Sequence, residues 1–394
     1  SAGLISPRSV VRSHFPLPDT INFMKVCIVL STRPEIIKLS SLIQILKKKK
    51  INFFIINTNQ HYNKMMSRVF FDFFGLPKPK YNIRADSQKK GNFFSKTLKD
   101  IEKILLKEKP NKLIVQGDTD TALAGCLGTS IFNRKLMSED QKVKIIHIES
   151  GLRSFDNSMP EEVNRKLIDQ LSDILFVPTA FDINNLKKEN LIKGKKIYKV
   201  GNTISDVIKK CKPFLKKNNI LKKEKLKKKN YFLLTLHRPE SVDDSRKLKK
   251  LILIFEKIGQ KFDKQIVFPI HPRTQKIIKK VSIKRLSYLK FLSPLNFIDF
   301  VSLMYQSKVV LTDSGGVQEE TSLLGIPCIT VRSSTERQLS IINKTNILTG
   351  YNYKKIINAI NYFNKKKLKP SNIFGDGRVS NRIFNTLIKL SNKN

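Results

Sequence analysis

Val309-Val310-Leu311-Thr312-Asp313-Ser314-Gly315-Gly316-Val317-Gln318-Glu319-Glu320 places a short apolar run, a small-residue turn and a helix start in direct succession. Val309–Thr312 has the length and β-branching of a buried parallel strand, and Gly316–Leu324 reads as the helix that follows it. Small residues at a helix start leave backbone N–H groups free, and these attract phosphate together with the helix dipole. Ser314 adds a hydroxyl donor, and Gly315 and Gly316 let the backbone approach a ligand closely. Glu320, one turn in, is placed to accept both hydroxyls of a ribose. Alone, the stretch also fits an ordinary glycine-containing turn, so its meaning depends on what surrounds it.

The same strand–turn–helix unit recurs on either side. Lys25–Ser31 is a continuous apolar run, followed by Pro34 at a first helical position and by Ile36, Leu39, Leu42, Ile43 and Leu46 on one helical face. Strands are expected at Ile51–Thr58, Leu113–Gln116 and Val143–Ile148, and helices at Phe94–Lys107 and Glu161–Leu175. The pattern restarts near Gly201. It continues with strands Tyr231–Leu236, Gln265–Pro269 and Cys328–Val331 and with helices Ser245–Gln260, Phe297–Gln306 and Val379–Leu390. Alternating strands and helices predict an α/β chain with parallel sheets covered on both faces.

A length of 394 residues suits two domains. The expected division is an extension at 1–23, Rossmann-like domains at 24–200 and 201–377, and a final helix at 378–394 packing back towards the first domain. No stretch approaches the roughly 18 uninterrupted apolar residues of a membrane helix. The formal charge of +43 would ordinarily suggest nucleic acid or a membrane surface. The lysines, however, fall in short runs such as Lys47–Lys50 and Lys222–Lys229, without interleaved aromatics for base stacking. They read as solvated faces, so neither nucleic-acid binding nor membrane insertion is expected. Cys27, Cys126 and Cys328 lie in apolar segments, Cys211 is remote from them, and no Cys-x-x-Cys pair occurs; a reducing, cytoplasmic setting fits.

Charged residues gather where strands end. Asp118 follows one strand, Glu149 the next, Glu161 opens a helix, and His237 ends a strand in the second half. Arg33 and Lys38 follow the first strand, and Arg337 lies beyond Cys328–Val331. Doubly wound sheets bind ligands at the carboxyl ends of their strands. Any one of these acids could merely cap a helix, but the set points to one cleft with three acids on one side and a histidine on the other.

Ser31-Thr32-Arg33-Pro34-Glu35, Gln116-Gly117-Asp118-Thr119, His147-Ile148-Glu149-Ser150-Gly151-Leu152-Arg153, Met159-Pro160-Glu161-Glu162-Val163-Asn164-Arg165, Gly201-Asn202-Thr203, the stretch quoted at the outset and Thr335-Glu336-Arg337 together resemble the non-hydrolysing UDP-N-acetylglucosamine 2-epimerases. The motifs run in the family's order over about 25–380. The resemblance implies a GT-B-like pair of Rossmann domains facing a cleft, a homodimer, a UDP-sugar substrate, and neither metal nor nicotinamide. It implies that Asp118, Glu149, Glu161 and His237 are catalytic, and that Arg33, Lys38, Ser314, Gly315, Gly316, Glu320 and Arg337 hold UDP, with Phe300 packing near the base. Gln60, His61 and His271 resemble parts of a second, activating UDP-GlcNAc site, although Asn63 and Pro239 depart from its usual pattern. Ser31, Ser150 and Leu295 depart from the family's usual glycine, alanine and polar uracil contact.

The implied chemistry accounts for the residue types. The C2–H bond of the sugar is unactivated, so loss of UDP from C1 accompanies removal of the C2 proton and gives a 2-acetamidoglucal. UDP then adds back as a proton reaches the other face. Two faces need two proton-transfer groups, and the departing diphosphate needs cations and N–H donors. Rival expectations are a 2-epimerase of a UDP-diacetamido-glucuronate, a hydrolysing epimerase, a GT-B glycosyltransferase, and a basic nucleic-acid-binding protein.

Overall fold

The computed structural model describes residues 24–59, 64–86, 89–270, 272–278 and 286–392. The expected extension at 1–23 and the positions Gln60, His61, Asn63 and His271 lie outside the described residues.

In the amino half, β1 (Lys25–Leu30), β2 (Asn52–Asn57), β3 (Tyr81–Asn82), β4 (Lys112–Gln116), β5 (Lys144–Ile148), β6 (Ile174–Val177) and β7 (Lys196–Lys199) form a parallel sheet in the order β3-β2-β1-β4-β5-β6-β7. In the carboxyl half, β8 (Tyr231–Thr235), β9 (Gln265–Pro269), β10 (Leu289–Leu292), β11 (Val309–Thr312), β12 (Cys328–Thr330) and β13 (Asn346–Leu348) form a second, in the order β10-β9-β8-β11-β12-β13. Both orders reverse beside their first strand. Each sheet therefore has a crevice at its carboxyl edge, between β1 and β4 and between β8 and β11, where ligands settle in this architecture.

Strand β1 shows why these runs are strands. Cys27 and Val29 join a cluster with Phe54, Ile56 and Val115, while Val26, Ile28 and Leu30 join a different one with Ile36 and Leu39. Alternate residues thus enter opposite apolar layers, as the period of two requires for a strand covered on both faces. The helix Arg33–Lys48 starts two residues earlier than the apolar pattern suggests. There the Glu35 carboxylate accepts the N–H of Thr32, as in a capping box, and a proline sits in the first turn.

One expected element is corrected. The helix expected over Glu161–Leu175 runs from Pro160 to Leu171, and Ile174–Val177 is strand β6. Ser172 and Asp173 interrupt the helical period, and the Ile-Leu-Phe-Val run that follows is fully buried between β5 and β7. The helices Asp120–Asn133, Ala180–Lys188 and Ile204–Leu215 and strands β3, β7 and β13 add to the elements read from the sequence.

The two halves share packing. Helix Arg33–Lys48 touches both Ile204–Leu215 and the last helix, Val379–Ser391, and Ile204–Leu215 touches Gly315–Leu324. A single apolar cluster includes Ile28, Ile36 and Leu39 together with Val310, Val317, Ile383 and Leu387. Buried Asp206 fixes the start of the last helix by accepting hydrogen bonds from the N–H groups of Val379 (2.9 Å) and Ser380 (2.7 Å). Among the described residues, no helix is long and apolar enough to cross a membrane.

Candidate active site

At the carboxyl edge of the first sheet, buried Glu35 ties two turns together. It accepts hydrogen bonds from the N–H groups of Ser31 (2.9 Å) and Thr32 (2.6 Å) and from the Thr119 hydroxyl (2.6 Å). The first sheet turn is thereby fixed against the turn that carries Asp118. Arg33 projects from the same region, its guanidinium 4.9 Å from the centre of the Phe70 ring. Burial pushes Arg33 below its ordinary value, against the pull of Glu320.

Asp118 follows Gly117, whose φ of +73° makes the sharp turn off β4. Arg165 grips Asp118 with Nε at 3.1 Å and with Nη2, and Arg165 is itself paired with Glu162. Burial would raise the Asp118 carboxyl, but the Arg165 charge outweighs it and holds the group below its usual value. Glu149 stands at a φ of +76°, a conformation rare for a residue with a side chain. Its carboxylate takes both hydrogen bonds of Lys38 (2.6 and 2.8 Å), the Gln116 amide, and Arg337 Nη2 (2.6 Å). Glu161 is half-buried on the first turn of Pro160–Leu171 and makes no hydrogen bond or ion pair among the described residues.

At the carboxyl edge of the second sheet, fully buried Asp313 receives the N–H groups of His237 and Arg238, both at 3.0 Å, and lies 3.1 Å from His237 Nδ1. Burial acts to raise Asp313, yet His237 and the N–H donors hold it at about 2. The carboxylate thus fixes the ring of His237, which remains 41% exposed. Ser314, at the start of Gly315–Leu324, leaves its hydroxyl out of the helix cap. A side chain at Gly315 would collide with the Glu336 carboxylate, whereas one at Gly316 would meet open space. Glu336 is ringed by Arg332 (3.2 Å), Arg337 (3.5 Å) and Arg238 (3.7 Å). Against its burial, these charges hold it well below the usual carboxylate range. Burial pushes the Glu320 carboxyl up to about 7, countered chiefly by Arg33.

The two edges meet. Lys38 reaches across to Glu319 (3.2 Å), and Arg337 lies 2.5 Å from Glu319 as well as 2.6 Å from Glu149. Asn202 adds a hydrogen bond to Glu319 at 2.8 Å. Arg337 Nε and Nη1 face their carboxylates as charges rather than as aligned donors. Arg332 Nη2 lies 3.3 Å from Met159 Sδ beside the turn that leads to Glu161. Lys38, Glu149 and Arg337 are thus joined directly, Gly315 lies against Glu336 and Arg337, and the Arg337 charge reaches Asp118. His237 is held at Asp313, next to Ser314, and Arg33 and Glu320 feel each other's charge, whereas Glu161 makes no bond to this cluster among the described residues. Phe300 is half-buried and packs against the large apolar cluster. Gln116, Asn202, Asp313, Glu319 and Glu336 also belong to the assembly. They lie inside the motifs, but the partners that give them a role come from remote strands, which local sequence does not reveal. Among the described residues, no group of three or more His, Cys, Asp or Glu side chains could hold a metal ion.

A family model described as UDP-N-acetylglucosamine 2-epimerase matches residues 44–388. The UDP-N-acetylglucosamine 2-epimerase of Methanocaldococcus jannaschii is 44% identical over 371 residues, which are 92% of this chain and 99% of that protein. A crystal structure of the Methanocaldococcus jannaschii UDP-GlcNAc 2-epimerase in complex with UDP-GlcNAc and UDP superposes with a TM-score of 0.85 at 43% identity, covering 93% of this chain and all of that one (100%). The UDP-2,3-diacetamido-2,3-dideoxy-D-glucuronate 2-epimerase of Pseudomonas aeruginosa is 35% identical over 370 residues, 93% of this chain and 100% of its own length. Likeness of this depth over nearly the whole chain goes beyond shared architecture, and the chain belongs to the UDP-N-acetylglucosamine 2-epimerase family.

Proposed function

We propose that this chain inverts C2 of UDP-GlcNAc to give UDP-ManNAc. One observation carries the reading. Glu149, from the sheet that bears the acids, and Arg337, from the sheet that bears the glycine helix start, meet at 2.6 Å in a buried centre shared by both halves. A sugar held there would have carboxyls on its ring and cations on its diphosphate.

In the forward step the C1–O bond breaks, its electron pair leaves with UDP, and the C2 proton passes to a carboxylate, leaving a C1–C2 double bond. In the return step UDP oxygen bonds C1 and a proton is delivered to the opposite face of C2. Asp118, Glu149 and Glu161 serve the proton transfers. Glu161 has no ion-pair partner among the described residues, whereas Asp118 is paired with Arg165. His237, braced by Asp313, stands over the leaving diphosphate together with Arg33, Lys38, Arg337 and the Ser314–Gly316 helix start. Glu320 takes the ribose hydroxyls and Phe300 the base side. The halves divide near Gly201, the last helix binds the first half, and the enzyme works as a homodimer in the cytoplasm, a setting consistent with four buried free thiols.

Incubation with UDP-GlcNAc in heavy water, followed by NMR, tests this. The expected product is UDP-ManNAc with deuterium at C2. Release of free N-acetylmannosamine would identify a hydrolase instead, and unlabelled starting material would overturn the reading. The Pseudomonas relative supports a second reading, in which the sugar is a UDP-diacetamido-glucuronate. Competition of the two sugars for turnover separates them.

A further inference from the structure

Behind the acids lies a histidine that no step above uses. His147 is fully buried, two residues before Glu149. Its Nε2 is 2.9 Å from the carbonyl oxygen of Gly117, the residue before Asp118. Its Nδ1 is 2.7 Å from Asp169 Oδ1.

Both neighbours are acceptors. A peptide carbonyl has no proton to give, so Nε2 carries one. The second oxygen of Asp169 already accepts Arg153 Nη1 (2.7 Å) and the Gly151 N–H (3.1 Å). Although burial opposes ionisation, His147 and Arg153 hold Asp169 below its ordinary value, so the carboxylate accepts on both oxygens and anchors the imidazole on its Nδ1 side. Charges near this cluster include Glu189, which pairs with Arg153 at 2.6 Å, Lys195, whose field also reaches Asp169, and Asp173, which acts on Lys195 and Cys126. Cys126, from helix Asp120–Asn133, stays a neutral thiol because burial pushes it far up.

The geometry serves position. Gly117, Glu149 and Gly151 all have positive φ, so the two turns that present Asp118 and Glu149 are both wound in the left-handed region. Without bonds such turns would relax. One imidazole ties the first turn through the Gly117 carbonyl, and ties the second through Asp169, which holds the Gly151 N–H. We infer that His147, bonded at both ring nitrogens, fixes the spacing of the Asp118 and Glu149 turns, acting as a positioning residue for C2 epimerisation. This inference rests on the activity proposed above.

The test has two arms that fail separately. In the first, the intact wild-type protein is labelled with 15N-histidine and the solvent exchange of its ring N–H protons is read by 15N–1H correlation. With five histidines in the chain, His147 is assigned by elimination through variants of the other four. Its ring N–H signal is expected to exchange slowly, as a buried bond requires. A His147 ring proton lost to rapid solvent exchange overturns the inference, whatever the activity. In the second arm, His147→Gln keeps a donor towards Gly117 and His147→Asn keeps one towards Asp169. Each is expected to lower kcat for UDP-GlcNAc about 100-fold, as a misplacement near 1 Å does, with KM little changed. Folded variants with wild-type kcat, or with raised KM alone, overturn it. If the variants do not fold, the wild-type spectrum still decides. A wild type without turnover defeats the proposed activity and leaves the spectrum to judge the buried bonds of the ring.

Discussion

Glu149 concentrates the chemistry of the site in one residue, and it yields the sharpest substitution. Glu149→Gln keeps the shape but removes the charge that Lys38 and Arg337 share. Turnover is expected to fall by about 10²–10⁴-fold, the span of a lost acid–base group. UDP should still bind, because its diphosphate supplies negative charge to the same cations. Steady-state rates and calorimetric titration with UDP measure the two effects, and a near-normal rate would remove Glu149 from the mechanism. Glu320 yields a pH test. Burial raises its carboxyl to about 7, so the folded protein retains a proton there that the unfolded chain has lost above the ordinary value of 4.5. The folded state therefore binds more protons between about 4.5 and about 7, and this contribution to stability declines as pH rises through that window. Ribose hydroxyls hydrogen-bond best to the ionised form, so affinity for UDP-GlcNAc should rise as pH passes from about 6 to about 8. Glu320→Gln should flatten that profile. Titrations across the range check it, and an equal slope in the variant would place the pH dependence elsewhere.

Among the elements, helix Gly315–Leu324 shows how a start is kept open for a ligand. Gly315 is needed for the close approach of Glu336, whereas Gly316 faces free space. Gly315→Ala should push Glu336 away from the arginines it gathers and weaken UDP binding about tenfold, the equivalent of one charge-assisted hydrogen bond. Gly316→Ala should leave the fold unchanged. Calorimetry on both variants tells the positions apart, and equal affinities would refute the distinction. These elements differ in how far the sequence discloses them. Strands β1, β8 and β11 are legible because each is buried on both faces and reads as an unbroken apolar run. The helix ending at Leu171 is not, since Leu175 and Phe176 continue an apolar stretch that suits either period, and only the gap between β5 and β7 makes it a strand. At the site, Asp118, Glu149 and His237 are legible as polar residues at strand ends. Glu319 is not: its partners Lys38, Asn202 and Arg337 come from three distant segments.

On the scale of the whole molecule, charge acts at two ranges. The formal +43 gives a long-range pull on an anionic nucleotide sugar that fades over a Debye length of about 8 Å at physiological salt. Accordingly kcat/KM should fall as salt rises while kcat stays level, and a salt-independent kcat/KM would show that the lysines do not steer substrate. At short range, Lys38 and Arg337 are balanced by Glu149 and Glu319 across the cleft. A diphosphate that binds the two cations must compete with these carboxylates, so the same ion pairs that join the halves without ligand resist its entry. Glu319→Gln separates the two effects. Without ligand, Lys38 and Arg337 lose one of two shared carboxylates but keep Glu149, with Glu336 still 3.5 Å from Arg337, so the loss costs less than the roughly 3–5 kcal/mol of a buried charge left with no partner. The unliganded variant should still melt below wild type. With UDP, the diphosphate restores the missing negative charge and no longer displaces Glu319, so the ligand should raise the melting temperature of the variant by more than it raises that of wild type. Thermal melts with and without UDP measure both shifts. An equal UDP shift in the two proteins would mean that nucleotide and carboxylate do not compete for Lys38 and Arg337, and that the cross-cleft pairs persist in the liganded enzyme.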